Sequence, residues 1–258
     1  MDRVFVWPPS DDMEVPENYV GVTIQKLPDG GWHTGVLYRT SQKGANVLHL
    51  MRHYGDTKQK GFIHENPHAD QLCVLCAVDD VLIPAITRVF RDIYTTNKNP
   101  GLPYGFSPPL GDWFDGDGRL IPGPSGRGLC CQTFVLAAYQ AADLPLLEPP
   151  DAPQRPDDHE RQRAIFDKNS GSLGEASSRT REHFAVVEAN LGTALYRPLE
   201  VAGAAKADFH PCSFAEAVTN GNELEPLVPP PPAMCVVAVE ASVTDPPADG
   251  PEATGMAD

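Results

Sequence analysis

The stretch YVGVTIQKLPDGGWHTGVLYR, residues 19–39, decides the fold. Apolar and polar residues alternate over 19–27, Pro28-Asp-Gly-Gly31 carries strong turn chemistry, and alternation resumes over 32–39. A third run, 46–51 (NVLHLM), follows the polar Thr40–Ala45 connection. These local rules predict a three-stranded antiparallel meander.

Outward from the meander, residues 71–78 (QLCVLCAV) read as a fourth, buried strand. Asp79 or Asp80 is expected to cap a helix running to about Tyr94, with Ile83, Ile86, Val89, Phe90 and Ile93 on one stripe. Pro84 is tolerated there because it falls in the first turn. Residues 97–128 hold six prolines and many glycines, so they form a long connection without regular structure. A helix over 129–142 (LCCQTFVLAAYQAA) follows, then a proline-rich linker at 148–158. Further helices are predicted at 158–168, at 179–191 and after Ser213, where Ser213 and Glu216 make a capping box and Asn220-Gly221 is expected to stop the helix. From Glu225 onward eight of 34 residues are proline, which predicts a disordered tail, with Cys235–Val239 able to dock as a strand. The reading is an α+β chain: a core over 1–147, the linker, a helical extension over 159–224 packed on the core, and an acidic tail over 225–258.

The chemistry gathers in two places. Cys130 and Cys131 stand at the start of the 129–142 helix, where the helix dipole and free backbone N–H groups favour a thiolate and an oxyanion. A thiol there is either a nucleophile or a small buried hydrophobe. His33 opens the second strand and His49 lies on the third. A turn centred on Ser41 puts them directly opposite one another, so that one serves as base and the other holds its tautomer. A register shift of two would bring His53 opposite His33 instead, leaving His53 as the alternative orienting group.

The segments His33-Thr-Gly35-Val-Leu, Val47-Leu48-His49 and Cys131-Gln-Thr-Phe134-Val135, in that order, resemble the circularly permuted papain-like cysteine enzymes. That superfamily holds the NlpC-type peptidases and the lecithin–retinol acyltransferase group. The resemblance implies an antiparallel sheet packed against a helix that carries the nucleophile at its N-terminus. It implies Cys131 as nucleophile, His33 as base and His49 as orienting residue, with Cys130 a bystander and no cofactor. An acyl-enzyme passing to water would make a peptidase or amidase acting on a peptide, amide or ester. Passing to another acceptor, it would make an acyltransferase.

The net charge of −15 argues against nucleic acid or anionic lipid as the main partner. Beyond Lys206 there is no Lys or Arg and there are nine acids, so much of the acidity belongs to the tail. The first fifteen residues lack a signal-peptide pattern, and no segment reaches the ~20 apolar residues of a membrane span. Six cysteines without a disulfide framework complete the expectation of a reducing cytoplasm. Two other constellations compete. His64, His68, Cys73 and Cys76 invite a zinc site, but on a strand Cys73 and Cys76 point to opposite faces. Asp112, Asp115 and Asp117 resemble half a calcium loop without its later Glu, which favours a polar turn. Tyr104 either borders the pocket or packs. The alternative to an enzyme is a binding or scaffold domain of the same fold, using the proline-rich tail and its tetraproline 229–232 to hold a protein partner.

Overall fold

The Gly30–Gly31 corner closes the first hairpin as its turn chemistry requires. The computed structural model describes residues 3–40, 43–50, 62–108, 110–148, 152–170 and 177–231. His53, the 235–239 run and most of the tail lie outside them. Strands β1 (Val4–Val6), β2 (Tyr19–Lys26), β3 (Trp32–Thr40), β4 (Lys43–Leu50), β5 (Phe62–Glu65) and β6 (Leu72–Leu75) form one antiparallel sheet in the order β1-β6-β2-β3-β4-β5. Leu27 N–H donates to Gly31 O at 2.8 Å, and Gly30 takes φ +81°, which a side chain would disfavour.

The β3–β4 register differs from the predicted one. Val36 faces Leu48 and Leu37 faces Val47, and the register shifts at a bulge between Tyr38 and Thr40. His49 therefore sits beside Gly35, two residues along from the place opposite His33. A shift of two keeps a side chain on its own face, so the two imidazoles still share one side of the sheet. Gly35 makes the close approach possible: a Cβ there would lie 2.8 Å from Val47 Cγ1 and 3.0 Å from His49 Cβ.

The sheet is buried on both faces. Val22, Ile24, Val36, Tyr38, Leu48 and Val74 face a core made with the helices, while Phe5, Tyr19, Leu37, Val47, Cys73 and Leu75 form a smaller layer under Trp7, Met13 and Val15. Helix α1 (Ile83–Asn97) buries Ile83, Ile86, Phe90 and Ile93, with Val89 at the edge of the stripe. Its cap is not an aspartate. Leu82 holds that position, and the Asp79 carboxylate instead accepts from Val81 N–H at 3.1 Å, one turn too early to reach the helix donors. Helix α2 (Cys131–Ala141) crosses β3, and its Tyr139 hydroxyl donates to Gly21 O of β2 at 2.7 Å. The long connection before α2 is pinned rather than loose. Asn97 bonds Ile93 O, Gly118 O and Leu120 N–H at 2.7, 2.7 and 2.9 Å, and the Arg127 guanidinium stacks 3.9 Å over Trp113.

Helices α3 (Asp158–Ser170), α4 (Ser178–Ala189), α5 (Pro198–Lys206) and α6 (Phe214–Leu224) follow among the described residues, and Phe166, Phe184, Val201 and Ala217 join the same core as the helix-facing side of the sheet. Ser213 caps α6 through Glu216 N–H at 3.3 Å. Asn220-Gly221 does not stop α6, which runs on to Leu224. Gly221 is needed for contact instead: a Cβ there would lie 2.6 Å from Leu199 O, and one at Gly203 would lie 2.0 Å from Ala217 O. The two glycines let α5 and α6 touch backbone to backbone. No helix among the described residues is long and apolar enough to cross a membrane.

Because the obstacle at Gly221 is backbone, the collision cannot be relieved by a rotamer change. Gly221→Ala is expected to lower unfolding free energy by about 1–3 kcal/mol, despite the higher helix propensity of alanine. Urea denaturation of the purified chain measures it, and an unchanged or raised midpoint would contradict the close α5–α6 contact.

Candidate active site

Cys130 takes extended backbone (φ −99°, ψ 178°) just before Cys131 begins α2, so the adjacent thiols leave the chain in different directions. Cys130 turns into the core, where Thr133 Oγ1 accepts its backbone N–H at 2.8 Å and lies 3.3 Å from its sulfur. Cys131 stays outside both apolar clusters, 9% exposed, and its thiol donates to Gln132 Oε1 at 3.1 Å. Burial, with the neighbouring Cys130, pushes the Cys131 thiol up to about 12, against the pull of the backbone N–H groups of Thr34 and Gln132. The sulfur thus lies against the backbone of the residue that follows His33.

On the other face of β3, four side chains form a line from the interior to water. His33 Nε2 and His49 Nδ1 are 2.8 Å apart, and His49 Nε2 is 2.7 Å from Glu65 Oε1. Glu65 Oε1 also accepts from His68 Nε2 at 2.7 Å. His33 and His49 are buried, while Glu65 and His68 are 32% and 58% exposed. Partial burial works against the Glu65 charge, but the hydrogen bonds from His49 and His68 hold its carboxyl below the usual range. An ionised Glu65 makes His49 Nε2 the protonated nitrogen. A neutral His49 then accepts at Nδ1, so His33 donates from Nε2 and keeps its lone pair on Nδ1. Burial, helped by the charge His49 would carry, depresses His33 to about 3, and burial also lowers His49.

Glu65 escapes the sequence reading because β5 is only four residues long and was not anticipated, and His68 entered it only as a zinc candidate; the signal for Glu65 was the alternation of FIHE beside β4. The residues considered for zinc are separately engaged. Cys73 and Cys76 lie in opposite apolar layers, His64 Nε2 bonds the Tyr38 hydroxyl at 2.8 Å, and His68 bonds Glu65. The Asp115 carboxylate accepts from Asp117 and Arg119 N–H at 3.0 and 2.8 Å, which is a polar turn. Tyr104 is buried and packs edge-on against Phe106, and its carbonyl bonds His183 Nε2 at 2.7 Å.

The fold therefore brings His33 and His49 together and sets Cys131 beside Thr34. Among the described residues no hydrogen bond joins Cys131 to either imidazole. The resting site is a neutral thiol next to a strand that carries a neutral, oriented imidazole. Comparison with protein-family models, with curated proteins and with solved structures returns no match to this chain.

Burial of His33 sets a pH dependence. The unfolded imidazole takes a proton near its ordinary value of 6.5, whereas the folded one resists until about 3. The unfolded state thus binds more protons in that window, and stability falls as pH falls through it, by roughly 3 kcal/mol at pH 4. Glu65, held low, adds loss in the same direction further into acid. Denaturation curves between pH 7 and 4 should show this slope, and His33→Gln should flatten it; an equal slope in the variant would contradict a buried neutral His33.

Proposed function

We propose that this chain is a thiol hydrolase of permuted papain-like arrangement, with Cys131 as nucleophile, His33 as base and His49 as the residue that holds His33 in its working tautomer. The observation that carries the reading is the His33–His49–Glu65 line, at 2.8 and 2.7 Å, which starts on β3 one residue before Thr34, whose backbone N–H meets the Cys131 sulfur. In the reaction Cys131 Sγ bonds to the carbonyl carbon of an amide or ester, and its proton passes to His33 Nδ1. The charge on His33 is spread through His49 toward Glu65, which offsets the cost of a buried imidazolium. Backbone N–H groups at the start of α2 stabilise the oxyanion. The leaving amine or alcohol takes the proton from His33, and water, activated by the same imidazole, releases the acid. Transfer to an acceptor other than water would use the same steps. Since thiol and imidazole are not hydrogen-bonded at rest, substrate binding closes the dyad, as in sites whose catalytic hydrogen bonds tighten only in the complex.

A second reading has its own support. A buried Cys131 thiol pushed up to about 12 is also what a non-catalytic binding domain of this fold would carry. Acylation separates the two. The chain is treated with p-nitrophenyl acetate at pH 7 and the acetylated thiol located by peptide mass mapping. The hydrolase reading expects acetyl on Cys131, none there in Cys131→Ala, and a rate ~10²–10⁴-fold lower in His33→Ala. Acetylation absent in the folded chain, or insensitive to His33→Ala, would establish the binding-domain reading.

A further inference from the structure

Trp32, the residue before His33, forms part of the wall of a cavity of about 390 Å³, together with Arg161 of α3 and with Arg197, Leu199, Glu200 and Glu225. That volume lies in the ~300–1,000 Å³ range of small-ligand sites. The charges on its wall are not equivalent. Arg197 is held by both oxygens of Asp157 at 2.6 and 2.8 Å, and Glu200 pairs with Arg155 while accepting Arg197 N–H at 2.8 Å. Arg161 is half-buried, and among the described residues its guanidinium has no hydrogen bond or ion pair. In a chain with 35 acidic and 20 basic residues, a guanidinium left without a carboxylate beside a cavity calls for an external anion. Trp32 lies two residues before Thr34 on β3, and the Thr34 backbone N–H meets the Cys131 sulfur, which the Arg161 charge also favours as a thiolate, so the cavity and the thiol adjoin along one strand.

We propose that this cavity binds a carboxylate-bearing substrate, with Arg161 gripping the carboxylate and Trp32 and Leu199 covering the adjoining apolar part. The word substrate rests on the thiol-hydrolase reading; the carboxylate site does not. A guanidinium matches a carboxylate through two parallel N–H donors. Glu225 on the same wall repels a doubly charged ligand, so a singly charged carboxylate fits better than phosphate. The substrate class is an amide or ester of an amino-acid-like acid, whose free carboxylate lies in the cavity while its acyl bond reaches Cys131.

The test is made first on the full chain carrying Cys131→Ser, which removes the thiol chemistry. Calorimetric titration compares N-benzoylglycine, N-benzoylglycinamide and inorganic phosphate. The acid should bind at least tenfold more tightly than the amide or phosphate. Arg161→Gln should remove the preference, and Arg161→Lys, keeping charge but losing the fork, should retain only part of it. Equal affinity for acid and amide, tighter binding of phosphate, or a preference that survives Arg161→Gln in a folded variant would overturn the site. With the native thiol, saturating N-benzoylglycine should slow acetylation of Cys131 at least tenfold; full-rate acetylation would separate the cavity from the thiol. If Cys131 never acetylates but the Arg161-dependent preference holds, the hydrolase reading alone fails.

Discussion

Strand β3 is buried on both faces, and that constraint determines where every group of the candidate site stands. Val36 and Tyr38 feed the helix-packed core and Leu37 the opposite layer, and the alternation of a strand assigns Thr34 to the first side and His33 and Gly35 to the second. A strand in this position gives each side chain one face and no second choice. Helix α2 brings Cys131 to the backbone of Thr34, and the imidazoles gather behind it. Thiol and imidazole thus approach β3 from different sides, and the backbone of a single residue separates their attachments.

The same burial explains why the site rests uncharged. Desolvation raises the Cys131 thiol and depresses His33, so each shift opposes the thiolate–imidazolium pair. What works the other way is fixed polarity: the Thr34 and Gln132 N–H groups at the sulfur, the Arg161 charge nearby, and ionised Glu65 at the far end of the histidine line. These groups act without moving. An imidazolium formed on His33 would meet an oriented acceptor in His49 and a carboxylate behind it. The arrangement therefore favours charge created during a proton transfer over charge stored beforehand.

Much of this was legible from residue patterns. Strands β2, β3 and β4 follow from period-two alternation, β6 from the buried apolar run within 71–78, and α2 from its largely apolar sequence. The features missed are those decided by contact rather than pattern. The observed β3–β4 register, with its bulge between Tyr38 and Thr40, lies two residues from the expected one, yet the faces of His33 and His49 survived, because an even shift preserves them. Strand β5 was too short to announce itself, and Glu65 went with it. Helix α5, rich in alanine and glycine, has no apolar stripe against a polar face because it is buried almost all round. Gly221 reads locally as a stop signal, but tertiary packing uses the same missing side chain to admit the backbone of α5.

That last substitution of roles bears on the site itself. Were α6 to end at Asn220, its last turn could not close against α5 at Gly203, and the wall carrying Leu199, Glu200 and Glu225 would not be held beside Trp32. Arg197 is fixed in turn by Asp157, next to the start of α3, and the Arg155–Glu200 pair joins the approach to α3 to α5. Arg161, one turn into α3, is thereby positioned by a frame whose other cations are already neutralised. On the thiol-hydrolase reading, the sheet and α2 supply a thiol and an oriented base that distinguish no particular amide or ester. Selectivity on that reading comes from a fixed group nearby, and Arg161 of α3 is such a group among the described residues.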